Sequence, residues 1–166
     1  MTEVSINKSI NLSEHFTLGE VTKSRHAEVY NIPSHVAIEN LKRVCGWLEE
    51  LRFTYNTLYC LKPGEDYETS ENVEPIVINS GYRSPELNKK VGGSPTSNHL
   101  TGCAVDIRCV GVEQAIRYAA ILLDIADEWK REYDELFIER NRKGHYWLHF
   151  AVRPKDNRRK TLFLEK

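Results

Sequence analysis

The hydrophobic and polar positions along this chain change period several times, and each change marks an element. From Ser34, a residue type suited to an N-cap, Leu41, Val44, Cys45, Leu48 and Leu51 recur at helical spacing. That predicts a helix to about Phe53 with one face on a core. Ile76-Val77-Ile78-Asn79 is β-branched and predicts a short strand. A compact helix follows, capped by Ser84, with Pro85 at its first position and Gly92-Gly93 as its stop. Between Gly102 and Arg108 the pattern alternates, with Val105 and Ile107 toward one side and Ala104 and Asp106 toward the other. Val112 to about Lys130 carries Ala, Ile and Leu over much of its surface, so a largely buried helix is expected. Leu136–Glu139 and Tyr146–Val152 predict a hairpin around Asn141-Arg142-Lys143-Gly144, and Thr161–Leu164 a last short strand. Helices packed on a small antiparallel sheet give an α+β fold.

The segments between are less patterned. Residues 12–35 read as irregular, and 62–75 as a long, acidic, exposed loop. No EF-hand ligand spacing accompanies its acidity, which is read as solvation. No repeat or linker divides the chain, so one domain over 1–166 is expected.

Composition narrows the function classes. The 166 residues are 40% hydrophobic and 28% charged with a formal net charge of -1, enough to bury a core. Such a charge gives no global attraction to nucleic acid or an anionic membrane. The basic clusters Arg140–Lys143 and Arg158–Lys160 are short and read as solvated turns. No run reaches the length of a membrane span, and Met1–Ile10 lacks the apolar run of a signal peptide. A cytoplasmic location is therefore expected unless another route releases the protein. Cys45, Cys60, Cys103 and Cys109 form no CxxC pair and are expected to be reduced, small packing residues.

Three residues stand out chemically. His99 lies in the polar stretch Ser97-Asn98-His99-Leu100-Thr101-Gly102, and Asp106 projects from a strand between apolar neighbours. A carboxylate there is costly unless paired or metal-bound. In the last hairpin strand Tyr146, Leu148, Phe150 and Val152 alternate with His145, Trp147, His149 and Ala151, which puts His149 on the side away from the core. Singly, each has an ordinary alternative: a capping histidine, a salt-bridged aspartate, a hydrogen-bonded core histidine. Together, two imidazoles and one carboxylate make a three-ligand zinc site with a fourth position open for water.

Several ordered motifs carry a family resemblance. Ser97-x-His99-x-x-Gly102-x-Ala104-x-Asp106 resembles the SxHxxGxAxD signature of the zinc D-Ala-D-Ala peptidases, and Trp147-Leu148-His149 their downstream W-x-H element. Further upstream, Asn79-Ser80-Gly81-Tyr82-Arg83-Ser84 resembles the family's S-G-Y-R-S segment and Asn88 through Gly93 the N-x-x-V-G-G that follows it, and Leu12 through Glu20 is similar to the opening of the phage-associated branch. The resemblance covers most of residues 12–152, and the loop at 62–75 looks like an insertion in it.

The resemblance implies Zn2+ held by His99, Asp106 and His149, and substrate or oxyanion binding by Arg83. Ser97 belongs to the same signature and is taken as a substrate-binding candidate. The acid that relatives place three residues before the last ligand is Tyr146 here, and the histidine of some members two before it is Trp147. Glu139, in the partner strand, is then the first choice for general base, given one of two hairpin registers, and His145 the second. Trp147 is expected to wall the substrate cleft. The implied activity is hydrolysis of a peptidoglycan stem peptide, as a carboxypeptidase or a cross-link endopeptidase. A monomer of the phage-lysis type is expected, without nucleic-acid or membrane partners. The alternatives are a non-catalytic zinc-binding module on the same fold, as the hedgehog signalling domain resembles, and an intracellular dipeptidase or amidase.

Overall fold

The computed structural model describes residues 7–166, so the larger part of Met1–Ile10 lies outside the described residues. Helix α1 spans His35–Tyr59 and begins as the sequence indicates, with the Ser34 side chain accepting from the Ala37 amide at 3.2 Å. It runs past Phe53 for two reasons. Tyr55 is buried edge-on against Tyr118, at 4.8 Å between ring centroids. Asn56 pins the far end of the following loop, bonding the Glu74 carbonyl and amide at 2.9 and 2.6 Å. That loop is tied down rather than merely solvated. Tyr67 stacks edge-on against Phe53 at 5.1 Å, and Glu65 accepts from the Lys62 amide and the Asn72 side chain, both at 2.8 Å.

Strand β1 is Ile78–Ser80, α2 is Pro85–Lys90, and a 3₁₀ turn covers Asn98–Thr101. Then come β2 (Ala104–Cys109), α3 (Val112–Glu128), β3 (Glu135–Arg140), β4 (Tyr146–Ala151) and β5 (Lys160–Glu165). The five strands lie in the order β1-β2-β4-β3-β5. All neighbours are antiparallel except β3 and β5, which are parallel. The fold is α+β, but the expected antiparallel sheet is mixed. β4 already has a neighbour on each side, so the chain crosses back to the free edge of β3 and runs alongside it.

Helices α1 and α3 cover one face of the sheet, where Val105, Ile107, Leu148 and Phe150 are wholly buried. Trp47 of α1 meets Phe150 at 5.3 Å. The opposite face carries Asp106 and Arg108 from β2, Trp147 and His149 from β4, and Glu135, Phe137 and Glu139 from β3. Arg158 departs from the solvated-turn reading, because it binds Asp134, a carboxylate with 0% exposure. The four cysteines are free thiols, and burial pushes Cys45 and Cys109 up to about 12. No helix among the described residues is long and apolar enough to cross a membrane.

Candidate metal centre

Two strands and one turn converge to make the site. β2 and β4 pair with Asp106 directly opposite His149, so both side chains rise from the same face a few ångströms apart. His99 comes from the 3₁₀ turn, which Ser97 opens by accepting from the His99 amide at 3.2 Å. Gly102 closes the turn at φ 75°, and a Cβ there would lie 2.5 Å from the Ala37 carbonyl of α1. The turn is thus pressed against the helix at a position open only to glycine.

Hydrogen bonds then set which atoms are free. His99 Nδ1 lies 2.7 Å from the Gly81 carbonyl, so it must donate, and Nε2 keeps its lone pair. Gly81 can approach so closely because it has no Cβ, which would sit 2.2 Å from the Val21 carbonyl. His99 Nε2 is 3.3 Å and His149 Nδ1 3.0 Å from the same Asp106 oxygen. All three donor atoms lie within 4.8 Å of one another. A tetrahedral zinc with ligands near 2.1 Å spaces its donors by roughly 3.4 Å, so the set fits that ion with little movement.

A supporting layer holds these candidate donors. His149 Nε2 faces Glu135 Oε1 at 3.1 Å, the carboxylate–histidine arrangement that orients a ligating imidazole. Phe137 stacks on the His149 ring at 5.2 Å and 19°. Asn98 binds Glu135 at 2.5 Å and Asp134 at 2.7 Å, which ties the turn carrying His99 to β3. Burial alone would raise the Asp106 carboxyl, but the adjacent His99 and His149 hold it far below the usual carboxylate range. Burial would likewise lower His149, and Asp106 and Glu135 overcome it, raising the imidazole to about 9. Asp106 is thus an anion clasped by two imidazoles, a donor set in which a dication can replace protons.

The other residues singled out in the sequence fall in different places. Arg83 donates to Ser80 Oγ at 3.1 Å, Asn88 Oδ1 at 3.3 Å and Asp106 Oδ2 at 3.3 Å, so it orients a metal-site carboxylate. Ser97 acts as the cap already described and does not line the cleft beside the centre. Trp147 and His145 both line it. Glu139 takes the register that turns it to the His149 face, opposite Trp147. Its ion-pair partner is Lys166 Nζ at 3.1 Å, and the acid that touches His149 is Glu135. Tyr146, three residues before His149, is half-buried, packing against the core at the end of β4 that also borders the cleft.

The cleft has a volume of about 990 Å³ and runs from Arg83 along the ends of β2 and β4. A second cluster, Glu14, His15 and Glu49, also brings donor atoms together. There the Glu49 carboxylate is already spent on Ser13 Oγ and the His15 amide, both at 2.8 Å, and on His15 Nδ1 at 2.7 Å. It fastens the 13–15 segment to α1.

No curated protein matches the chain. Residues 65–141 match the family model described as Peptidase M15, a span that holds His99, Asp106, Arg83 and Glu139 and stops short of His149. The third donor is thus supplied by a strand outside the match, paired in register with one inside it. Over that span, just under half of its length, the chain is similar to the peptidase M15 family of metallopeptidases.

Proposed function

We propose that this protein is a zinc peptidase that hydrolyses a peptide bond in the stem peptides of bacterial peptidoglycan. The observation that carries the reading is the convergence of His99 Nε2, Asp106 Oδ1 and His149 Nδ1 beside a cleft of peptide size. Zinc, when bound, supplies a Lewis acid and a water acidic enough to attack at neutral pH. Arg83 has five N–H donors, of which three have partners within the protein, leaving two for a substrate carboxylate or a developing oxyanion. Glu139, on the same sheet face as the ligands, accepts the proton of the attacking water and passes it to the leaving amine. Its reach requires release from Lys166. Trp147 walls the substrate. The bond cut is a terminal D-Ala linkage or a cross-link, and a cytoplasmic chain of this kind reaches the wall by a phage-type lysis route.

A non-catalytic zinc module is the second reading, favoured by the Glu139–Lys166 ion pair. The lack of an acid at Tyr146, where relatives carry one, favours it as well. Mass spectrometry of muropeptides incubated with zinc-loaded protein tests the choice. Loss of one D-Ala indicates a carboxypeptidase, and conversion of dimers to monomers an endopeptidase. Unchanged muropeptides would end the peptidase reading. Glu139→Gln is expected to keep zinc and melting temperature while losing turnover by ~10²–10⁴-fold; near-normal turnover would move the base elsewhere, His145 first.

A further inference from the structure

The chain carries 24 acidic and 23 basic residues, yet the cleft beside the metal centre is lined by one sign of charge. Lys23, Arg25, Arg83 and Arg108 contribute permanent cations, His26 and His145 add imidazoles, and no aspartate or glutamate lines it. Elsewhere on the surface several cations are neutralised by a neighbouring acid: Lys42 by Glu39, Lys90 by Glu28, Arg117 by Glu113, Arg140 by Glu165. Arg83 is committed to Asp106. Lys23, Arg25 and Arg108 are exposed and form no ion pair among the described residues. Like charges crowded into a concave wall repel one another and focus the field on whatever enters.

Their positions relate to the bond being cut. Arg108 lies two residues along β2 from Asp106 on the same face, opposite Trp147, so roughly 7 Å separates their backbone positions. An extended peptide advances about 3.3 Å per residue, which puts Arg108 about two residues from a bond held at the metal. Lys23 and Arg25 follow Val21, whose carbonyl accepts from the Tyr82 amide at 2.7 Å. That bond fixes their segment to the turn that carries Arg83.

Resting on the peptidase reading above, we propose that this cleft selects anionic peptides, with Lys23, Arg25 and Arg108 pairing with carboxylates that flank the cut bond. Guanidinium–carboxylate pairs are the stronger, charge-assisted kind of hydrogen bond. A stem peptide with free glutamate and diaminopimelate carboxylates meets this requirement, and the same peptide with those groups amidated does not. The cleft thereby discriminates between walls by their state of amidation.

The test compares the zinc-loaded protein on two synthetic pentapeptides, identical except that the glutamate α-carboxylate and the diaminopimelate side-chain carboxylate are free in one and amidated in the other. The readout is the ratio of kcat/KM where the peptides are cut, and the ratio of Kd by calorimetry where they are not. The free form is expected to be favoured by roughly tenfold or more, less so at high salt. Arg108→Gln and the pair Lys23→Gln/Arg25→Gln should bring that ratio toward one, with zinc content and melting temperature unchanged. A wild-type ratio near one, or a ratio that survives all three substitutions, overturns the proposal. Cutting without preference sinks the selectivity and leaves the peptidase; preference without cutting sinks the peptidase and leaves the anion cleft.

Discussion

The two faces of the sheet use the same strands for opposite ends. Toward α1 and α3 the alternate positions of β2 and β4 are Val105, Ile107, Leu148 and Phe150, apolar and wholly buried. One residue over, the other face carries Asp106, Arg108, Trp147 and His149. The first face gains from leaving water, whereas the second draws charge out of water and must compensate each group with a partner. The difference is a division of labour. The apolar face fixes the register, and the register decides that Asp106 stands opposite His149 and not beside it, since a slip of one residue would turn the whole set into the core.

If that division holds, damage to each face should be felt in a different measurement. Leu148→Ala removes a fully buried side chain and should cost about 2–5 kcal/mol by denaturant unfolding, with zinc per folded chain unchanged. Loss of zinc from the folded variant would show that the two faces are not separable.

On the site face, Glu135→Gln keeps the shape but weakens the hydrogen bond to His149 Nε2. Zinc affinity should fall by ~10–100-fold in a chelator competition, with little change in folding. Unaltered affinity would reduce Glu135 to a scaffold residue held by Asn98 and Arg158.

The smallest effect is on pH dependence. In metal-free protein His149 is raised from 6.5 to about 9, so it takes up a proton more readily folded than unfolded. Its contribution to stability is fully present below 6.5 and is lost as pH rises through about 9. Zinc takes the place of that proton, so melting temperature should decline across this window without zinc and hold steadier with it. Parallel profiles would contradict the coupling of His149 to the site.

Much of this arrangement was legible before the fold. Alternation in Gly102–Arg108 and Tyr146–Val152 put Asp106 and His149 on the face away from the core, because a half-buried strand writes its two faces into sequence at period two. Ser34 and Ser84 announced their helices through capping chemistry that is local. What stayed hidden depends on partners distant in sequence. Glu135 shares a face with Glu139, both two residues from the Phe137 that pairs with His149, and only the three-dimensional contact of Glu135 with His149 Nε2 shows which of the two reaches the imidazole. The parallel course of β5 follows from which edge was left free, and the extension of α1 from Tyr118 and Glu74, neither visible in the helix itself.

The central claim is that His99, Asp106 and His149 jointly hold one zinc ion, and elemental analysis of purified, folded protein tests it most directly. The expected result is one zinc per chain in the wild type and little or none in His99→Ala, Asp106→Ala and His149→Ala, each still folded by circular dichroism. Wild-type zinc content in any one of those folded variants would contradict it and remove that residue from the site.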